Sequence, residues 1–307
     1  MKVVIAGGSG SLGRRVAADL AARGDEVVVL TRTPSGATPY REVAWDGRTV
    51  GAWAGELAGA AVINVCGDLV DRRPTAANIE LLTRSRVEPT RALVDAAWGL
   101  DVAPAVWIQM STLAIYGDAG EAILTESAAP ADGPPQMAGV ARDWEAAASA
   151  VIVKRKIVLR TGIVLDPGTP AFSRLQGIVK WGLGGRIGTG RQWTSWVHVA
   201  DFVALIRHCI DRPTMAGVVH ATSPCPVPNA QLMAAFRRAL RRPLAPPTPA
   251  FLVHAGAVLL RTDPALALTG RRAVPAKLLG DGFQFLHPHI EEALDDLLSP
   301  AHPGANH

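Results

Sequence analysis

The chain has 307 residues, of which 49% are hydrophobic and 19% are charged, so it can form a substantial core and is not globally disordered. Its net charge of +4 comes from scattered arginines rather than from one basic stripe with aromatic partners, so we expect no nucleic-acid binding. Neighbouring pairs such as Arg237-Arg238, Arg241-Arg242 and Arg271-Arg272 are interpreted as solvated helix faces.

The cellular context follows from two simple features. No apolar run is long enough to cross a bilayer, and the first residues resemble a strand rather than a signal peptide. The three cysteines, Cys66, Cys209 and Cys225, are few and scattered, which indicates a reducing compartment and no metal site. We therefore expect a cytoplasmic protein with no membrane partner.

Strand and helix patterns alternate along the first half of the chain. Short apolar runs predict buried strands, and longer stretches with apolar residues at helical spacing predict helices. The predicted strands cover 2–7, 26–31, 60–67, 105–112 and 156–165, and the predicted helices cover 11–24, 78–99 and 137–150. This alternation predicts an α/β Rossmann fold, a doubly wound parallel sheet with helices on both faces.

The second half of the chain has a different texture. A glycine-rich loop with bulky aromatics (180–196) is followed by short elements and a proline-rich connector (241–251). We predict a Rossmann domain over 1–167, a smaller C-terminal α/β substrate lobe over 168–298 and a disordered tail over 299–307. The lobe is expected to cover the carboxyl edge of the sheet, where ligands bind in such folds.

The first predicted strand and helix are joined by a turn with three spaced glycines. Gly7 allows the tight turn, Gly10 lets the backbone approach a pyrophosphate, and Gly13 lets the helix pack closely on the strand. A structural glycine turn is the alternative, but the strand–turn–helix context favours a dinucleotide. The predicted cofactor contacts are Gly7, Ser9, Gly10, Ser11, Leu12, Gly13, Thr31, Arg32, Cys66, Gly67 and Ser111.

The end of the second strand indicates which dinucleotide binds. An NAD site usually offers a carboxylate to the ribose hydroxyls at this place, whereas this chain has Thr31, Arg32 and Thr33. A guanidinium suits the extra 2′-phosphate of NADP(H). The sequence therefore predicts NADP(H) as the cofactor, with an ordinary exposed arginine as the alternative interpretation of Arg32.

From Met1 to about Leu298 the chain resembles the extended short-chain dehydrogenase/reductase superfamily, and most of all its atypical "epimerase family" branch with its own C-terminal domain. The matching stretches are AGGSGSLG (6–13), VINVCGD (62–68), SRVEPTR (85–91), STLAIYGD (111–118), RDWEAAA (142–148), LRTGIVLDPG (159–168), GLGGRIGTGRQWTSWVHVADFV (182–203) and RRAVPAKLLGDGFQF (271–285). Together these motifs are specific, although each one alone is not.

One part of the superfamily pattern is missing. Ordinary members carry Tyr-x-x-x-Lys with a glutamate four residues beyond the lysine, and Glu145 fits that glutamate. Counting back places Ala141 at the lysine position and Met137 at the tyrosine position, and the spacing from Tyr116 gives the same result. In ordinary members the tyrosine transfers the substrate proton and the lysine lowers its pKa and holds the nicotinamide ribose, tasks that methionine and alanine cannot perform.

This difference leaves three functional hypotheses open. The first is an NADP(H)-dependent oxidoreductase or epimerase-like enzyme acting on a small substrate, for which anionic and sugar-like compounds are the candidates. The second is a non-catalytic NADP(H)-binding protein that senses redox state or regulates a partner. The third is lyase or isomerase chemistry with a purely structural cofactor.

Substitute catalytic groups are sought near the carboxyl edge of the sheet. Tyr116 is the first candidate, with packing against the cofactor or substrate as the alternative, and Ser111 and Thr112 lie where the superfamily keeps a substrate-orienting hydroxyl. Glu145 is expected to make a structural contact. His198 is interpreted as structural, ahead of a helix capped by Asp201.

The loop from Trp181 to Trp196 is the predicted substrate-side element. Arg186 and Arg191 offer forked donors to phosphate or carboxylate, and Trp181, Trp193 and Trp196 offer flat apolar surface. The predicted substrate contacts are Arg186, Arg191 and Trp193, and the alternative is a loop that only packs the two lobes together. A homodimer through helices 78–99 and 137–150 is possible by analogy with related proteins.

Overall fold

The computed structural model describes residues 1–299, so nearly all of the predicted disordered tail lies outside the described residues. The strands are β1 (Lys2–Ala6), β2 (Glu26–Thr31), β3 (Arg41–Ala44), β4 (Ala61–Asn64), β5 (Val106–Thr112), β6 (Ile123–Leu124), β7 (Lys156–Thr161), β8 (Ile163–Leu165), β9 (Trp193–Thr194), β10 (Trp196–His198), β11 (Gly217–Ala221), β12 (Val227–Pro228) and β13 (Arg272–Ala273). The helices are α1 (Ser11–Ala22), α2 (Ala76–Trp98), α3 (Val140–Ala147), α4 (Pro170–Lys180), α5 (Val199–Asp211), α6 (Asn229–Ala239), α7 (Ala250–Leu260), α8 (Ala265–Leu268), α9 (Ala276–Gly280) and α10 (Ile290–Leu298).

The centre of the fold is a seven-stranded parallel sheet in the order β11-β7-β5-β4-β1-β2-β3. Helices α1 and α5 pack on one face, where Val16, Leu20 and Phe202 join the core, and α2 and α3 pack on the other. The strands carry apolar side chains on both faces, as expected for a sheet that is covered on both sides. The predicted doubly wound Rossmann fold is therefore confirmed.

Two predicted elements are divided in the structure. The predicted strand 156–165 breaks at Gly162, where an added Cβ would lie 2.6 Å from the Ser195 carbonyl oxygen, and β8 then leaves the sheet to pair with β10. The predicted helix 137–150 starts as a π-helical turn (Pro135–Gly139) before α3 begins. Both breaks lie at the carboxyl edge of the sheet, where π-turns often accompany functional sites.

The C-terminal part of the chain does not form a lobe that is separate in space. Strand β11 returns to the large sheet and pairs with β7, although it lies inside the predicted lobe. A second core, built around Phe172, Trp196 and Phe236, holds α4, α6 and α10 together. The predicted domain boundary at residue 167 stays a prediction, but the two parts share one sheet.

No helix within residues 1–299 combines the length and the apolar character that a bilayer crossing requires.

Candidate cofactor and substrate site

The turn between β1 and α1 has the geometry of a phosphate-binding cradle. Gly7 has a φ of +82°, and its carbonyl accepts a hydrogen bond of 3.0 Å from the Gly10 amide. Gly10 then precedes the first turn of α1 in an extended conformation, and no side chain caps the helix. The first amides of α1 are therefore left for a ligand, and a helix N-terminus favours an anion.

Gly13 and Gly10 differ in how much room the cradle leaves for a side chain. A Cβ on Gly13 would lie 2.5 Å from the Gly7 oxygen and 2.6 Å from Gly8 Cα, so only glycine allows this packing of helix on turn. A Cβ on Gly10 would meet nothing closer than 3.4 Å. The outer side of Gly10 is thus open, as a backbone that receives a pyrophosphate needs to be.

The predicted adenosine-side residues lie around this cradle. Thr31 is buried at the end of β2, and Arg32 is exposed directly after it. Arg32 is close enough to Cys66 for its charge to act on that thiol, whose pKa burial nevertheless raises to about 12. The Cys66 thiol is therefore uncharged where it lines the cradle, and Arg32 is a cation near this end of the cradle. Gly67 follows and packs against the Arg86 guanidinium, which a Cβ would meet at 2.9 Å.

Three neighbouring strands align polar side chains at the carboxyl edge. Ser111 on β5 is the register partner of Arg160 on β7, which is the register partner of His220 on β11. Glu145 on α3 joins them: Ser111 donates a hydrogen bond of 2.5 Å to it, and the Arg160 guanidinium donates two of 2.8 Å. The expected structural contact of Glu145 is thus present, as a nearly buried ion pair.

Tyr116 completes this network. Arg160 Nη1 donates to the Tyr116 hydroxyl over 2.8 Å, and the hydroxyl lies 2.7 Å from His220 Nε2. His220 Nδ1 lies 3.0 Å from the Val274 carbonyl oxygen, which can only accept a hydrogen bond, so the ring proton is on Nδ1. His220 Nε2 therefore accepts a hydrogen bond from the Tyr116 hydroxyl. Burial lowers the pKa of His220 below its ordinary value of 6.5.

The electrostatics of the network keep Tyr116 protonated. Burial raises the pKa of Tyr116, although the hydrogen bond from Arg160 opposes this effect. Burial also works against the charge of Arg160, but Glu145 more than compensates, and the pKa of Arg160 is raised. Thus Tyr116 is a buried neutral phenol that is hydrogen-bonded on both sides.

The place where the sequence predicts the usual catalytic pair is apolar. Met137 and Ala141 are 7% and 1% exposed, and Ala141 packs with Leu113 and Ile115 in a small cluster. One charged group touches this place: Arg271 Nη2 lies 3.7 Å from the Met137 sulfur.

Arg271 was interpreted from the sequence as part of a solvated pair, and this interpretation is wrong. The Arg271 guanidinium donates to the carbonyl of Gly117 over 2.6 Å and to the hydroxyl of Thr269 over 2.8 Å. Burial lowers the pKa of Arg271, and the charge of Asp118 opposes this effect, although no carboxylate within residues 1–299 lies within ion-pair distance of the guanidinium. A half-buried cation whose hydrogen bonds go to neutral acceptors can still attract an anionic ligand.

Gln136 adds a second incomplete polar group beside Met137. Its side chain is 2% exposed, and its Nε2 donates to the Arg72 carbonyl over 2.8 Å. Its Oε1 has no hydrogen-bond partner in the described part of the chain. A buried acceptor of this kind indicates a donor that is supplied from outside the chain.

The predicted substrate residues fall into two groups. Arg186 hydrogen-bonds the carbonyls of Gly188 and Thr189, so it braces its own loop. Arg191 lies 3.6 Å from Glu121, and Trp193 donates a hydrogen bond of 2.7 Å to the same carboxylate.

Trp193 is the part of this loop that reaches the site. Its carbonyl accepts from the Arg271 amide over 2.9 Å, and its ring lies under the Arg272 guanidinium. The prediction that Trp196 offers exposed surface is wrong, because Trp196 is 0% exposed in the second core. Trp181, by contrast, is 83% exposed.

The helix cap predicted at Asp201 is also wrong. The cap of α5 is His198, whose Nδ1 accepts from the Ala200 amide over 3.1 Å. Asp201 instead accepts hydrogen bonds from the amides of Leu286 and His287. His198 is therefore a buried structural residue in this arrangement.

His198, His287 and Asp296 place three potential metal-ligand atoms within 4.8 Å of one another. Because His198 Nδ1 accepts from a backbone amide, the ring proton of neutral His198 is on Nε2, which lies 3.2 Å from Asp296. A metal at Nε2 requires that nitrogen to be free of its proton. The arrangement therefore fits a hydrogen-bonded pair, and the absence of a metal site stays a prediction.

Sequence reasoning missed Arg160, His220, Arg271 and Gln136. A signal was present for the first two, since each is a single polar residue inside an otherwise apolar strand pattern. Arg271 gave no such signal, because it lies in a polar pair and its burial depends on residues that are distant in sequence.

The sequence matches two known families. Residues 3–138 match the NAD dependent epimerase/dehydratase family, and residues 248–297 match a domain of unknown function. The first match covers the cradle, strands β1 to β5 of the large sheet and the Tyr116 turn. The second covers α7 to α10, including Arg271.

The alignments with known relatives cover nearly the whole chain. It is 34% identical over 297 residues to an epimerase family protein of Mycobacterium tuberculosis, covering 95% of this chain and 96% of that one. It is 29% identical to the human epimerase family protein SDR39U1, covering 97% of this chain and 100% of that one.

Solved structures agree with these matches. The human SDR39U1 structure, which was crystallised with NADPH, superposes with a TM-score of 0.86 at 28% identity, covering 98% of this chain and 100% of that one. A nucleoside-diphosphate sugar epimerase from Corynebacterium glutamicum gives a TM-score of 0.77 at 27% identity, covering 97% of this chain and 58% of that one. The chain therefore belongs to the epimerase family of short-chain dehydrogenase/reductase proteins.

Proposed function

We propose that this protein is an NADP(H)-dependent oxidoreductase that acts on a small carbonyl or alcohol substrate bearing an anionic or sugar-like group. The observation that carries the proposal is the Arg271 guanidinium beside Met137, where ordinary members place the catalytic hydroxyl. In this proposal Arg271 stabilises negative charge on the substrate, whereas the Tyr-x-x-x-Lys pair of ordinary members transfers a proton.

The cofactor assignment rests on how the cradle fits a dinucleotide. The open side of Gly10 and the uncapped N-terminus of α1 suit a pyrophosphate, and Arg32 suits a 2′-phosphate. The human relative was crystallised with NADPH, which supports the same choice for this chain. When bound, the nicotinamide ring supplies or accepts the hydride.

Arg271 and Thr112 act on the substrate oxygen. As a carbonyl is reduced, negative charge develops on its oxygen, and a preorganised cation stabilises that charge most strongly where water is excluded. Thr112 accepts a hydrogen bond from the Ala114 amide through its own oxygen, which leaves its hydroxyl proton to donate. The arginine stays protonated, so the proton that completes the alcohol comes from solvent.

Tyr116 is proposed as a positioning residue rather than the proton donor. Its phenol is held between Arg160 and His220, and the same network holds Ser111 through Glu145. The network fixes the turn from Leu113 to Tyr116. The next residue is Gly117, whose carbonyl accepts a hydrogen bond from the Arg271 guanidinium. The catalytic roles predicted for Ser111 and Tyr116 are therefore indirect in this proposal.

The substrate class is drawn from the unsatisfied groups of the site. Arg271 offers charge to a carboxylate or phosphate, and Gln136 Oε1 offers an acceptor to a substrate hydroxyl. The name of the Corynebacterium glutamicum neighbour supports a sugar-like substrate. These features favour a hydroxylated, anionic carbonyl compound over an apolar one.

One observation favours the alternative, a non-catalytic NADP(H)-binding protein. Ala141 is 1% exposed and packs in an apolar cluster, so the place of the catalytic lysine has become part of the core. A protein that only senses the redox state of NADP(H) needs no group at that place.

A substrate panel separates the two functions. Purified protein is mixed with NADPH and with aldehydes and ketones that do or do not carry carboxylate, phosphate and hydroxyl groups, and NADPH loss is followed by absorbance. We expect oxidation with the anionic, hydroxylated members. If no compound oxidises NADPH while calorimetry shows tight NADPH binding, the regulatory alternative is correct.

A further inference from the structure

Helix α7 is exposed to an unusual degree for its composition. Its sequence is AFLVHAGAVLL, and the one buried residue among its eleven is Ala257. Phe251 is 70% exposed, Val258 66% and Leu259 82%. A soluble monomer rarely keeps a contiguous apolar patch of this kind without a use for it.

The exposed apolar side chains of α7 point away from the protein body. Successive residues of an α-helix are rotated by about 100°, so Phe251, Leu252, Val258 and Leu259 fall on one arc opposite Ala257. Ala257 contacts the body, and that arc is therefore the outer face.

Two further exposed apolar residues lie next to the start of α7. Thr248, two residues before the helix, forms a bridge with Ile187, and Gly185 fits closely against Pro246. This contact brings together the loops that carry Trp181 and Leu244, which are 83% and 86% exposed and line one shallow depression. We name Trp181, Leu244, Phe251, Leu252, Val258 and Leu259 the α7 surface.

The segment that carries the α7 surface is rich in cations. Residues 168–272 contain thirteen lysines and arginines but three acidic residues, Asp201, Asp211 and Asp263. Asp201 and Asp263 are buried, and Asp211 pairs with Arg23. The same depression that holds Trp181 and Leu244 is lined by Lys180, Arg241 and Arg242.

We propose that the α7 surface docks onto an anionic lipid surface. Exposed leucines, a phenylalanine and a tryptophan enter the boundary between head groups and acyl chains, while the neighbouring cations pair with lipid phosphates and carboxylates. Such contact needs no membrane-spanning helix. It replaces the sequence-based expectation of no membrane partner, which considered spanning segments alone.

Charge also distinguishes a lipid surface from a second copy of the chain. In a two-fold symmetric dimer the α7 surface meets itself, so the partner copy brings no anionic surface to Lys180, Arg241 and Arg242. A lipid surface with negative head groups has the opposite sign and complements them.

Docking would act on the candidate site through the far end of α7. Arg73 donates to the Val258 carbonyl, and Asp71 accepts from Thr262 and pairs with Arg174. Asp71 and Arg73 belong to the loop after β4. In the same loop, the Arg72 carbonyl accepts a hydrogen bond from the Gln136 side chain. Movement of α7 on a membrane is thus transmitted to the substrate side of the cleft.

The test is vesicle co-sedimentation with the full chain. We expect binding to phosphatidylcholine vesicles that contain about 30 mol% phosphatidylserine, at least about tenfold weaker binding to pure phosphatidylcholine, and weakening in about 0.5 M NaCl. Phe251→Ser with Leu259→Ser, and separately Arg241→Ala with Arg242→Ala, should each reduce binding about tenfold or more. NADPH affinity serves as the folding control for both variants.

Matched controls use residues of similar exposure elsewhere: Leu286→Ser for the apolar change and Arg48→Ala for the charge change. Absence of binding to the anionic vesicles, or binding that the α7 variants and the controls weaken equally, overturns the proposal. A dimer in solution that Phe251→Ser with Leu259→Ser dissociates also overturns it, since the surface would then be an interface between copies.

Discussion

Arg271 Nη2 lies 3.7 Å from the sulfur of Met137, so a guanidinium touches the residue that the sequence predicts at the position of the catalytic tyrosine. The two positions are 134 residues apart in the chain. In the proposed function, a half-buried cation from the C-terminal part of the chain takes the place of a proton donor on the helix. A cation at this place stabilises an oxyanion but transfers no proton at neutral pH.

Arg271→Met should remove turnover and spare cofactor binding. Loss of one preorganised charge at a developing oxyanion typically costs about 10²–10³-fold in kcat. We expect a loss of this size with an active carbonyl from the substrate panel, and an unchanged Kd for NADPH by calorimetry. Arg272→Met, which removes the neighbouring cation over Trp193, is the control and should retain most of the activity. Equal losses in the two variants would mean that Arg271 is structural.

Two glycines of the cradle should respond differently to alanine. Gly13→Ala places a Cβ 2.5 Å from the Gly7 oxygen, so we expect a loss of about 1–3 kcal/mol in unfolding free energy. Gly10→Ala has room in the free protein but fills the side that faces the pyrophosphate. It should keep the Tm of the free protein and lose NADPH binding. Thermal denaturation with and without NADPH measures both, and a normal NADPH-induced shift in Gly10→Ala would contradict the cradle.

Arg32 should decide between the two pyridine nucleotides. Its guanidinium is free of any carboxylate partner within the described residues and follows β2 directly. Arg32→Ala should weaken NADPH binding about 10–100-fold, equivalent to about 1.4–2.8 kcal/mol, and leave NADH binding nearly unchanged. Calorimetric titration with both nucleotides checks this. A wild-type protein that prefers NADH would remove the basis of the assignment.

His220 should make the protein sensitive to acid. Burial lowers its folded-state pKa below the value of 6.5 expected in the unfolded chain, so the unfolded chain takes up a proton first as the pH falls. Stability is therefore full above about pH 6.5 and declines below it, by at most about 1.4 kcal/mol per pH unit for one group. His220→Gln, which can still bond Tyr116 and Val274, should flatten this decline in urea denaturation. His254→Gln, at an exposed histidine, is the control. If stability still declines unchanged below about pH 6.5 in His220→Gln, the decline does not come from His220.

The parts of the site that depend on local pattern were predictable from the sequence. The cradle needs only glycines between a strand and a helix, and its backbone amides bind without any particular side chain. The sheet followed from the alternation of short apolar runs and helical periodicity. For the same local reason, the absence of tyrosine and lysine at Met137 and Ala141 was visible from two spacings.

The parts that depend on distant residues were not predictable. Arg271 is half-buried because its guanidinium donates hydrogen bonds to the Gly117 carbonyl and to Thr269, and neither contact has a signal in the RRAVPAKLL stretch. Trp196 lies in the second core because β10 pairs with β8, which required the break at Gly162. The exposed face of α7 was equally hidden, since an apolar helix is expected to be buried until its packing is known.

If hydride transfer takes place beside Met137 and Arg271, a crystal structure of the NADPH complex will show it. We expect a nicotinamide ring in the cleft, with C4 about 4 Å from the Met137 side chain and its free face open towards the Arg271 guanidinium. A ring whose C4 is covered by protein, or one that lies outside the cleft, would rule out hydride transfer at this place.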